Sequence, residues 1–239
     1  MLLAQTPVIS MQTFLKVFIV HGLLFGFCIF FAYIILRRDR KWLNTVVSLF
    51  YIFVAIGFFV NFIYVLISME PFQETVLLLH KVTLFFLLLG TYFLTLFSLI
   101  LLKTETIFNR KKQAVLTSIL ILSNSVLFFL PISMGPETNW NPVYSLEYYT
   151  YLFIVFTIFS VLPQVYCFFK IYNRIEQDFL LKRWKSFITG TILFYIMCYG
   201  TITYHVLDIQ IIRTIWSLIS LFLSIGAMFF IYYGVSEME

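Results

Sequence analysis

"TVLLLHKVTLFFLLLGTYFLTLFSLILL", Thr75 to Leu102, decides what kind of protein this is. Over its whole length His80 and Lys81 are its only basic side chains, and it has no acidic ones. A helix rises 1.5 Å per residue, so this run reaches about 42 Å, more than the ~30 Å hydrocarbon core of a bilayer. Six further runs are long and apolar enough to read the same way: Phe14–Leu36, Trp42–Ser68, Ala114–Met134, Tyr148–Phe169, Ser186–Leu207 and Ile211–Gly234. The chain is 62% hydrophobic and 11% charged, against about 25% charged residues in soluble domains. The expected fold is therefore all-α: a single polytopic membrane domain over 1–239 with seven transmembrane helices.

The loops set the expected orientation. Arg37, Arg38, Arg40 and Lys41 follow the first run. Lys103, Arg110, Lys111 and Lys112 follow the third, and Lys170, Arg174, Lys182, Arg183 and Lys185 the fifth. Thirteen of the sixteen basic residues thus fall on one side, opposite Glu70, Glu74, Glu137 and Glu147. Cytoplasmic loops carry the excess of Lys and Arg, which predicts the N-terminus out, the C-terminus in, and a multi-pass protein of the cell membrane. The net charge of +5 belongs to these loops, so no nucleic-acid partner is expected. The expected partners are the lipid bilayer and a cytoplasmic or membrane protein docked on the basic inner loops. The first run is too long for a signal peptide and lacks a small-residue cleavage site. Cys28, Cys167 and Cys198 lie inside apolar runs and read as small core residues.

Polar residues inside the runs are the candidate sites, because ionisable groups are costly there. Pro163-Gln164, in "VLPQVYCFFK", is the proline deepest inside a span; Pro131 lies near the end of the fourth run. Proline removes a backbone hydrogen bond and kinks a helix, and Gln164 would set an amide beside the freed carbonyl. This pair is either a tolerated kink, a hinge, or a transport site. His21, His80 and His205 all fall in the outer third of their helices. With Asn61 at similar depth and Asp208 one turn after His205, they are the candidate ligand site. Imidazole titrates near neutral pH and binds metals, so pH, a metal or a small solute are the signals to consider; separately wetted interfacial residues are the alternative. Gly22 and Gly26 form a GxxxG, and Ser217, Ser220, Ser224 and Ala227 a small-residue stripe, both suited to close helix packing. "KIYNRIEQDFLLKRWK", Lys170–Lys185, puts Ile171, Ile175, Phe179 and Trp184 on one face and reads as an amphipathic extension of the fifth helix at the interface.

Several chemistries find no motif. No lysine follows Lys185, so no retinal Schiff base forms on the last helix, and no phosphate loop, metalloprotease motif or nucleophile–base pair occurs. No enzyme activity and no cofactor are expected. Pro-Gln-loop transporters, with seven helices built as two three-helix repeats, carry the pair in helices 1 and 5; here Phe30-Phe31 stand where the first pair would be.

Three stretches resemble the seven-helix sensor region that precedes the kinase in some prokaryotic histidine kinases. "ILRRDRKWLNTVVSLFYIFVAIGFF" is similar in its short basic turn and aromatic second helix. "GPETNWNPVYSLEYYTYLFIVF" resembles the aromatic outer segment, and "KIYNRIEQDFLLKRWKSFITGTIL" the basic linker into a glycine-bearing helix. The resemblance implies a non-catalytic sensor or receptor-like module that passes a signal to a separate partner. A small-solute transporter of the Pro-Gln-loop type and a structural subunit of a membrane complex remain the alternatives.

Overall fold

The computed structural model describes residues 18, 19, 21–38, 41–68, 70–138, 140–207 and 209–236. It is nearly all helical: α1 Gly22–Arg38, α2 Trp42–Leu66, α3 Gln73–Ile107, α4 Arg110–Ser125, α5 Leu146–Tyr172, α6 Asp178–Leu207 and α7 Gln210–Val235. Five of these, α2, α3, α5, α6 and α7, are long and apolar enough to cross a membrane. Residues 14–17, where the first run is expected to begin, lie outside the described residues; residues 18, 19 and 21 form a wider helical turn leading into α1.

Two boundaries differ from the hydropathy reading. The run Ala114–Met134 is helical only to Ser125, with a 3-10 turn over Val126–Phe128. Pro131 cannot continue a helix and biases Leu130 away from it. Ile132–Ser133 (β1) then pairs antiparallel with Val143–Tyr144 (β2), a short hairpin that the all-helical expectation lacks. At the other boundary, Lys170–Lys185 is not an extension of α5. That helix stops at Tyr172, and α6 starts at Asp178, eight residues before the expected Ser186. Trp184 is fully buried rather than interfacial.

Cations close helix ends. A helix leaves its last carbonyls without intrahelical donors, and positive charge is favoured there. Lys81 donates to Phe128 O and Leu130 O, both at 2.9 Å, just past α4. Arg183 donates to Tyr233 O at 2.9 Å and Ser236 Oγ at 3.2 Å at the end of α7. Asn109 and Ser145 cap the N-termini of α4 and α5 through Lys112 N–H and Tyr148 N–H.

Aromatic side chains tie the bundle across its middle. Phe50 of α2 meets Phe194 of α6 edge-on at 5.3 Å, and Phe97 of α3 meets Phe187 of α6 at 5.3 Å. Tyr51 donates to Met228 O at 3.0 Å, and Phe31 stacks on Tyr232 at 4.7 Å, bringing α7 against α2 and α1. The close helix approaches are at glycines other than those expected. A Cβ on Gly90 would lie 2.9 Å from Val54 Cγ2, and one on Gly190 2.7 Å from Ile231 N. Among the described residues, Gly26 has nothing within 4 Å and Gly22 only Phe62 at 3.9 Å, so the GxxxG of α1 is not a packing seam between them. Of the α7 stripe, Ser224 and Ala227 are buried, while Ser217, Ser220 and Ser224 bond back to their own helix.

Candidate functional site

Inside a bilayer, polar groups must find partners within the protein. Two buried clusters do so, one at the hairpin end of the bundle and one at mid-depth.

The hairpin builds the first. Its register sets Tyr144 opposite Ile132, and Ser145, donating to Pro131 O at 3.0 Å, pins its base. Tyr144 is thereby pushed into the bundle. Its hydroxyl lies 3.1 Å from His80 Nε2 on α3, and its ring 4.7 Å from that of His205 on α6. His80 and His205 are themselves 6.1 Å apart, centroid to centroid. His205 Nδ1 sits 2.9 Å from Pro142 O, an acceptor only, so Nδ1 carries the proton. Arg213 of α7 donates to the same carbonyl at 3.1 Å. Burial, then the nearby Tyr148, Tyr204 and Tyr64 phenols, hold Tyr144 well above the ordinary tyrosine value; Arg213 pulls it partly back. The phenol is therefore neutral at physiological pH.

Of the five expected ligand residues, the structure brings His80 and His205 together. Their exposures are 5% and 7%, and the Tyr144 ring packs against both, at 5.9 Å from His80 and 4.7 Å from His205, so the three rings fill the site. His21 and Asn61 form a separate pair, with Asn61 Nδ2 donating to His21 Nδ1 at 2.7 Å and His21 stacked on Phe58 at 5.3 Å. Tyr64, one turn along α2 from Asn61, meets His80 edge-on at 5.8 Å, which makes the two pairs neighbours. Asp208 lies outside the described residues. Among the described residues no three His, Cys, Asp or Glu are grouped to hold a metal ion.

The second cluster surrounds Pro163. Proline lacks the N–H and its ring crowds the carbonyl four residues back. The helix answers with a π turn, Thr157–Val161, directly before it. Within that turn, Ser160 O accepts from Thr95 Oγ1 at 3.1 Å and from Tyr195 OH at 3.3 Å. Ser160 Oγ meets Thr91 Oγ1 at 3.1 Å, and Gln164 Nε2 donates to Ser98 Oγ at 2.8 Å. All six side chains are buried. Gln164 therefore faces the bundle interior, and its Oε1 meets no partner among the described residues. Thr91, Thr95 and Ser98 escape a reading by residue type, although their i, i+4, i+7 spacing puts them on one face of α3. Tyr144, Arg213, Ser160 and Tyr195 escape it as well; only the fold brings them together.

The mid-depth cluster holds only neutral hydroxyls and an amide; the hairpin-end cluster adds imidazoles and a guanidinium. Both can bind, sense or change shape. No protein-family model, curated protein or solved structure matches the chain.

Proposed function

We propose that the chain is a seven-helix membrane sensor or receptor-like module. Its hairpin end faces outward and receives the signal; its basic end faces the cytoplasm and passes the signal to a separate partner. The observation that carries this reading is the packing of Tyr144, a wedge from the hairpin, against both His80 and His205. The two helices that grip the wedge, α3 and α6, also grip the π turn of α5, through Thr95 and Tyr195. In this reading a displacement of the hairpin passes through α3 and α6 to the π turn. The resemblance to kinase sensor regions agrees with this division of labour.

The transporter reading has one observation in its favour, the inward-facing Gln164. Its first-repeat counterpart gives no support: Phe30 is 55% exposed and adds no polar group to the interior.

Orientation is tested by cysteine labelling after Cys28, Cys167 and Cys198 are replaced. A Glu137→Cys chain is expected to react in intact cells, and a Lys111→Cys chain only after permeabilisation; the opposite pattern reverses the topology. Signal transfer is tested with spin labels at Lys111 and Gln177 in the reconstituted protein. Disturbing the wedge by His205→Phe is expected to shift the distance between labels by a few ångströms. An unchanged distance removes the sensor reading, and Gln164-dependent solute flux in proteoliposomes would establish the transporter in its place.

A further inference from the structure

At the basic end, a cleft of about 200 Å³ opens between α3, the end of α5 and the start of α6. Its walls are Leu102, Ile171, Ile175, Leu180 and Trp184, with Arg174 at the rim. Whole small ligands fill pockets of roughly 300–1,000 Å³, so a cleft of this size suits an apolar segment of a longer molecule. The rim has the opposite chemistry. Arg174 is exposed and donates one N–H of its five to Leu102 O at 3.2 Å. Lys103 adjoins Leu102, Lys170 adjoins Ile171, and Lys182 lies two residues past Leu180; all three are exposed. Glu176 and Asp178 are the carboxylates of the same connection, two against the five cations of Lys170–Lys185. Arg183, by contrast, is turned inward to Tyr233 O and Ser236 Oγ and stacks over Tyr233 at 3.9 Å, so it closes α7 rather than serving the rim.

An apolar slot lined by one arginine, with exposed lysines close in sequence to its walls, at the end of helices long enough to span a bilayer, matches one molecule already present there. We propose that this cleft is a binding site for an anionic phospholipid. The start of an acyl chain lies against Ile175 and Leu180, with the buried Trp184 directly behind them, and the phosphate is held by the fork of Arg174, with Lys170 and Lys103 near it. Guanidinium is suited to the phosphate because its planar donors match two oxygens at once. The site does not depend on the sensor reading; only its leaflet follows from the orientation proposed above.

Trp184 supplies the test, because it lines the cleft and only Trp42, Trp140 and Trp216 need to be changed to Phe to leave it as sole reporter. The full chain is reconstituted in phosphatidylcholine and titrated with phosphatidylglycerol or phosphatidylcholine brominated on the acyl chain. Brominated phosphatidylglycerol is expected to quench Trp184 saturably, at a mole fraction about fivefold lower than brominated phosphatidylcholine. Arg174→Gln with Lys170→Gln is expected to bring the two curves together, and Arg174→Lys to leave an intermediate preference. Millimolar inorganic phosphate is expected to leave the quenching unchanged. Equal quenching by both lipids, or none by either, overturns the proposal, the latter leaving the surface to an acidic protein. Reversal by inorganic phosphate overturns it too, because the site would then take a free anion. Native mass spectrometry of the unsubstituted chain tests the same site without any variant: retained phosphatidylglycerol in preference to phosphatidylcholine supports it, and no preference sinks it.

Discussion

The two buried polar clusters solve the same problem in opposite ways. At the hairpin end, imidazoles and a guanidinium converge on a tyrosine and a carbonyl from a distant loop. At mid-depth, two hydroxyls meet the Ser160 carbonyl in the π turn before Pro163, and an amide meets the neighbouring Ser98 hydroxyl. In the first cluster, His80 has one nitrogen on Tyr144 and no partner for the other among the described residues, so if the hairpin lifts it must find water or another partner. Thr91, in the second cluster, already has a second acceptor, its own helix carbonyl Leu88 O at 2.7 Å. Serine and threonine in helices commonly make such bonds to the turn before them. The hairpin end should therefore behave as a latch that is closed or open. The mid-depth seam should behave as a joint that can rearrange with its groups still satisfied.

The comparison is broken or sharpened most by Tyr144→Phe. The substitution removes the hydroxyl at His80 Nε2, and His80 Nδ1 already meets no partner among the described residues. A buried imidazole would then have neither nitrogen paired. Such a loss costs about 2 kcal/mol. Chemical or thermal unfolding of the purified protein should show that loss, together with faster hydrogen exchange across Ile132–Tyr144. If stability is unchanged and the hairpin stays protected, the phenol is a packing group and the latch description fails.

Much of this arrangement is legible in the sequence, and the failures have physical causes. The helices announce themselves by apolar length. Hydropathy misplaces their ends where it disagrees with hydrogen bonding. "VLFFLPI" continues the apolar run of α4 past the point where Pro131 forbids a helix. Lys182, Arg183 and Lys185 interrupt the apolar run of α6, yet the helix passes through them, because Arg183 is hydrogen-bonded to the end of α7 and the two lysines are exposed. Histidines in spans stand out by type, which makes His80 and His205 candidates on sight. Their partners Tyr144 and Pro142 are 64 and 63 residues away and carry no local mark. The hydroxyl face of α3 is present in the sequence at helical spacing. That it meets Ser160 O follows only from the π turn, which is the helix's response to Pro163.

The smallest expected effect, and the sharpest contrast, comes from Gln164→Leu. The change removes one interhelical hydrogen bond, Gln164 Nε2 to Ser98 Oγ at 2.8 Å. Hydrogen bonds of this kind between membrane helices average about 0.6 kcal/mol. It also removes a buried carbonyl oxygen that has no partner among the described residues, which acts in the opposite direction. Ser98 can turn its hydroxyl to the preceding turn of α3, as Thr91 does, so no new orphan need remain. Leucine is close to glutamine in volume, so the fully buried site is not left hollow. Stability should change by less than about 1 kcal/mol in either direction. A functional readout should move more than stability does, because the side chain sits just past the π turn and joins α5 to α3. The spin-label distance between Lys111 and Gln177 provides that readout. A loss of stability as large as that of Tyr144→Phe would show that the amide holds the bundle together. The mid-depth seam would then be a second latch, and the contrast between the two clusters would disappear.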